Sequence, residues 1–138
     1  MAQIVEIRLE PLTAESFAPF GQLLAERDTP PVFQASHLRS WRMNFEVDGA
    51  AQLLVVRYVH EPFACHLLER HLSVTQAFGP LGEHPSVMVA APPTDLDDLD
   101  HVPRPDEVRA FYVRGSRGLM LWRGTWHALT RFPVRSEG

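Results

Sequence analysis

Residues 118–132 read Gly118-Leu119-Met120-Leu121-Trp122-Arg123-Gly124-Thr125-Trp126-His127-Ala128-Leu129-Thr130-Arg131-Phe132. Apolar and aromatic side chains crowd short spans on either side of Arg123-Gly124 without the recurrence at three and four residues that marks a helix. The stretch therefore predicts two short strands, 118–123 and 125–132, joined at a glycine turn. The same short period covers 4–9, 40–47, 52–59, 64–71, 75–78, 86–91 and 108–113, and twelve prolines and eight glycines interrupt it along the 138 residues. Many short strands with such punctuation predict an all-β barrel or sandwich. One helix is expected, short and peripheral, with Thr13 as N-cap ahead of Ala14-Glu15-Ser16-Phe17 and Gly21 as its stop. No repeat or linker divides the chain, so 1–138 is expected to be a single domain.

Composition narrows the function classes. The formal net charge is −4, from 13 Lys+Arg against 17 Asp+Glu, a field that repels phosphate backbones and anionic lipid. Neither nucleic acid nor a membrane is an expected partner. The single cysteine, Cys65, has no internal disulfide partner and is read as a small buried apolar residue, which suits a reducing compartment. The N-terminus mixes charge into its apolar positions, so the expected location is the cytoplasm. Residues 92–107, with four prolines and six carboxylates, read as a solvated loop, and they lack the glycine and terminal glutamate of a calcium-binding EF-hand.

The chain lacks a phosphate-binding glycine loop, HExxH, CxxC and GxSxG. Its candidate chemistry lies in two separated stretches, Leu68-Glu69-Arg70-His71-Leu72-Ser73-Val74-Thr75-Gln76-Ala77-Phe78 and 115–127. Side chains alternate along a strand, so Glu69 and His71 share one face and Arg70 takes the other, outer one. A carboxylate and an imidazole aimed together into a barrel need a partner or a purpose.

The pattern Glu69-x-His71-x4-Gln76, with His127 after the glycine turn, resembles the metal-binding motifs of the cupin superfamily, in which the first motif supplies two histidines and a glutamate. More narrowly, Leu68-Glu69-Arg70-His71 with Gln76-Ala77-Phe78 and Pro80-Leu81, then Pro85 to Ala91, the Pro/Asp loop, Val108-Arg109-Ala110-Phe111 and Arg123 to His127 resemble the ureidoglycolate lyase family. The opening Pro11 to Leu24 is similar to that family's start. Arg117, in a position where the family usually carries glutamine, and the apolar Met120-Leu121-Trp122 depart from its pattern.

The resemblance implies a double-stranded β-helix, the cupin barrel, acting on ureidoglycolate to give glyoxylate and urea. It implies His71 as proton carrier, since an imidazole ordinarily titrates near pH 6.5, with Glu69 orienting it or carrying a second proton. Gln76 and His127 would line the pocket, and Arg123 or Arg117 would hold the substrate carboxylate. With glutamine where the metal-binding cupins carry a carboxylate, no cofactor and no tightly held transition metal is expected. Two other readings stay open: a metal-dependent cupin enzyme using Glu69, His71, Gln76 and His127, and a cupin that binds a small carboxylate without catalysis. The family usually continues beyond the position of Gly138, so an open sheet edge at 108–113 or 125–132 is expected. Trp122, Trp126 and Phe132 would cover that edge in a homodimer.

Overall fold

The computed structural model describes residues 4–129 and 131–134. Its elements are β1 (Leu9–Pro11), α1 (Ala14–Phe17), β2 (Gly21–Leu24), β3 (Phe33–Ala35), β4 (Leu38–Ser40), β5 (Leu68–Glu69), β6 (Gln76–Phe78), β7 (Ser86–Ala91), β8 (Arg109–Val113), β9 (Gly118–Leu121), β10 (Trp126–Ala128) and β11 (Phe132–Pro133). A six-stranded sheet runs β1-β8-β7-β10-β5, with β11 also paired to β7; a three-stranded sheet runs β2-β9-β6, and β3-β4 form a separate hairpin. The architecture is all-β with one short helix, as the resemblance implies.

The β7 strand explains the layering. Its run Ser-Val-Met-Val-Ala-Ala is apolar on both faces because both are covered. Met88 and Ala90 join Phe17, Phe20, Phe111, Val113, Leu119 and Leu121 between the two sheets. Val87 and Val89 pack with Ala110, Ala128 and Phe132 on the outer face. The inner layer centres on Phe17, Phe20 and Phe111, whose ring centroids lie 5.1–5.7 Å apart. Burial of each such ring contributes about 1.5–3 kcal/mol. Thr13 caps α1 through a reciprocal bond with Ser16, which lets four residues hold a helical turn and drop Phe17 into this layer.

The expected strands at 75–78, 86–91, 108–113 and 118–123 form within a residue or two of those bounds, whereas 4–9, 40–47, 52–59 and 64–71 keep at most two or three ladder residues each. Their pattern is strand-like, yet a ladder also needs a partner, and 52–59 has none among the described residues. Leu53 and Val55 are 98% and 87% exposed. Cys65, ahead of β5, is exposed, not buried as expected. Neither β8, flanked by β1 and β7, nor β10, flanked by β7 and β5, is an open edge, whereas β11, at the end of 125–132, pairs only with β7 among the described residues. The aromatic residues assigned to that edge are used internally. Trp122 Nε1 donates to Ala18 O, Phe132 is buried, and Trp126 lies under Arg70. Ser136 to Gly138 lie outside the described residues.

Candidate functional site

Register decides which side chains enter the space between the sheets. His127 pairs with Glu69 on one side and with Ala90 on the other. Cross-strand partners share a face, and Ala90 belongs to the inner layer, so Glu69 and His127 point inward. In the facing sheet Gln76 pairs with Leu121 and Phe78 with Leu119, both partners being inner-layer residues. Phe78 meets the His127 ring edge-on at 6.5 Å between centroids. Arg70 takes the outer face as alternation requires. Its guanidinium stacks 4.7 Å from the Trp126 ring and donates to Thr94 Oγ1, Asp95 O and Asp98 O, which pins the proline and aspartate loop beside the site.

His71 follows β5, and its carbonyl accepts the Gly124 N–H at 2.8 Å. Gly124 has φ of +86°, a left-handed conformation that glycine adopts without strain, so the turn calls for glycine. This bond places His71 Nε2 3.7 Å from Glu69 Oε1, while His127 Nε2 lies 3.9 Å from the same oxygen. The Glu69 and His71 side chains are 37% and 40% exposed and His127 only 4%, so the trio has an open mouth and a dry floor.

The floor histidine is defined chemically. Its Nδ1 faces Ala128 O at 3.0 Å; a carbonyl can only accept, so Nδ1 carries the proton and Nε2 presents a lone pair. Among the described residues that Nε2 is buried without a hydrogen-bond partner, as is Gln76 Oε1. Burial pushes the His127 pKa below its usual value, opposed by the Ala128 bond and by Glu69, and this keeps the imidazole neutral at physiological pH. The floor therefore offers acceptors to a ligand rich in N–H and O–H donors, or to a cation. Donor atoms of Glu69, His71 and His127 all lie within 4.8 Å of one another. Two imidazoles, one with its tautomer fixed for ligation, and one carboxylate fit a divalent transition ion.

Of the arginines expected to hold a carboxylate, Arg123 sits in the turn bonded to His71, whereas Arg117 lies at the opposite end of β9 and is not brought to the trio. Sequence reasoning did not single out Arg131, which the structure brings beside Phe78. Arg131 lies over the Phe78 ring at 5.4 Å and donates to Ser86 Oγ at 2.9 Å. Its even spacing from His127 was the available signal.

Two facing sheets enclosing a carboxylate, a paired imidazole and a neutral floor histidine define a cupin-like small-molecule enzyme. A family model described as ureidoglycolate lyase matches residues 4–134. Proteins named ureidoglycolate lyase are similar over most of the chain: that of Azotobacter vinelandii is 33% identical over 129 residues, 88% of this chain and 74% of the relative. That of Stutzerimonas stutzeri is 35% identical over 130 residues, covering 88% and 72%. One from Pseudomonas aeruginosa is 33% identical over 129 residues, covering 88% and 73%. The chain belongs to the ureidoglycolate lyase family.

Proposed function

We propose that this protein cleaves ureidoglycolate to glyoxylate and urea, a carbon–nitrogen lyase reaction, with the Glu69, His71 and His127 trio as its centre. The observation that carries the reading is this juxtaposition of proton-active groups, two at an open mouth and one on a dry floor, in a chain of that family. In the elimination the substrate hydroxyl loses its proton, the oxygen's electrons form the carbonyl of glyoxylate, the C–N bond breaks, and the departing nitrogen takes up a proton to complete urea. His71 is the proton carrier, reachable from solvent and steadied by Glu69; Glu69 carries the second proton. His127 Nε2 and Gln76 Oε1 accept from the ureido N–H groups or the hydroxyl, which relieves their burial without partners.

The orphaned His127 lone pair also favours a metal-loaded form, in which Glu69, His71 and His127 would hold a divalent ion. Such an ion, when bound, supplies Lewis-acid polarisation of a substrate oxygen. In either form Gln76 and the floor histidine orient the substrate. His71→Gln separates the chemical role from a structural one: turnover falls about 10²–10⁴-fold while the melting temperature holds. Loss of stability by about 1–3 kcal/mol with turnover per folded molecule intact would refute the assignment.

The ligand class is a small carboxylate and the location the cytoplasm; no described helix is long and apolar enough to cross a membrane. The assembly is a homodimer, supported by the unpaired apolar run Leu53, Leu54, Val55 and Val56, which is 56–98% exposed.

A further inference from the structure

We propose that Arg131, with Tyr58 beside it, forms the subsite that binds the substrate's carboxylate and so fixes which end of the molecule reaches the Glu69–His71–His127 trio. The proposal rests on the lyase reading of the same site and specifies its orientation.

Register places Arg131 inside. Between the pairs His127↔Ala90 and Phe132↔Val87 the ladder gains two residues, an even slip that preserves alternation. Phe132 is an outer-layer residue, so Arg131 shares the inner face with His127. The contacts agree: Ser86, its hydrogen-bond acceptor, pairs with inner-layer Val113, and Phe78, under its guanidinium, also touches the His127 ring. One aromatic ring thus spans from the guanidinium to the floor of the trio.

The charges are arranged to match the ligand. Glu69 Oε1, His127 Nε2 and Gln76 Oε1 make one end an acceptor surface, suited to a hydroxyl and ureido N–H groups. Arg131 makes the other end cationic, and a guanidinium fork is the side chain best shaped for a carboxylate. Tyr58 lies within electrostatic reach of both Arg131 and Glu69, and burial raises its pKa, which keeps the phenol a donor. Its segment is fastened across the β11 edge, where His60 Nδ1 donates to Pro133 O at 2.6 Å and Phe63 meets Phe132 at 6.4 Å between centroids.

The test is calorimetric binding of glycolate and of its uncharged analogue glycolamide to the full chain, with urea as a third probe. Wild-type protein is expected to bind glycolate at least tenfold more tightly than glycolamide. Arg131→Gln erases that preference and leaves urea binding within threefold; Arg131→Lys keeps part of it; Tyr58→Phe weakens glycolate about three- to tenfold. In turnover, Arg131→Lys raises KM more than it lowers kcat. Equal affinity of wild type for the two probes overturns the proposal, as does a preference that survives Arg131→Gln or disappears in Arg123→Gln instead. If Arg131→Gln does not fold, as judged by near-UV circular dichroism, the wild-type comparison with Arg131→Lys and Tyr58→Phe decides by the same criteria. A wild type that prefers glycolate through Arg131 yet releases no glyoxylate from ureidoglycolate keeps the subsite and refutes the lyase reading; lyase activity indifferent to Arg131 does the reverse.

Discussion

His127→Leu should leave the protein about as stable as before, or more so, while removing its activity. The side chain is 4% exposed, and its Nε2 is buried without a hydrogen-bond partner among the described residues. Such an atom costs the fold about 1–3 kcal/mol, which an apolar side chain of similar size does not incur. Against this gain stands the lost Nδ1–H bond to Ala128 O, a net contribution of about 0.5–1.5 kcal/mol. The balance lies between about 0.5 kcal/mol of destabilisation and about 2.5 kcal/mol of stabilisation, or a rise of up to about 10 °C in melting temperature for a domain of this size. Turnover should fall at least about 10²-fold, since the acceptor facing the ligand is gone. The assay is thermal unfolding in the presence of a chelator, paired with turnover on the same preparation. A loss of about 2 kcal/mol or more, with turnover per folded molecule kept, would show that His127 is a structural core histidine and that its free lone pair has no functional meaning.

Stability should fall with acid because the folded pKa of His127 lies below its unfolded value of about 6.5. The unfolded chain then takes up a proton that the folded chain resists, so this contribution is intact above about pH 6.5 and is lost as pH drops toward the folded pKa; His127→Leu should flatten that slope in urea titrations. Arg70→Ala removes a cation–π contact and three hydrogen bonds to the loop at 94–98, and should cost about 1–2 kcal/mol with faster amide exchange confined to that loop. Phe111→Ala empties the centre of the inner layer and should cost about 3–5 kcal/mol by denaturant unfolding. Val55→Glu, on the exposed run, should convert a dimer to a monomer by light scattering without lowering the melting temperature of the monomer.

The sequence made some elements legible because their causes are local. Strands such as 86–91 carry their own signal in β-branched and apolar residues bounded by proline, and α1 in a capping box between Thr13 and Ser16. Alternation alone put Glu69 and His71 on one face and Arg70 on the other. What depended on a partner was not legible. Residues 52–59 have the composition of a strand and no ladder, and Cys65 was judged by residue type when its exposure is set by the segment that carries it. Trp122 and Trp126 were assigned to a sheet edge, but the order of strands is a long-range property, and β10 is enclosed by β5 and β7. Arg117 and Arg123 were chosen by nearness to the second motif, while Arg131 was passed over although its even spacing from His127 along 125–132 puts the two on one face.

The most direct test of the central claim is product stoichiometry from ureidoglycolate with the purified full chain. Glyoxylate, urea and ammonia are measured in one reaction. The account predicts glyoxylate and urea in equal amounts with no ammonia, because the elimination breaks the bond between the hydroxyl-bearing carbon and nitrogen and leaves urea whole. Folded protein that releases no glyoxylate, or that releases it with ammonia in place of urea, would contradict it.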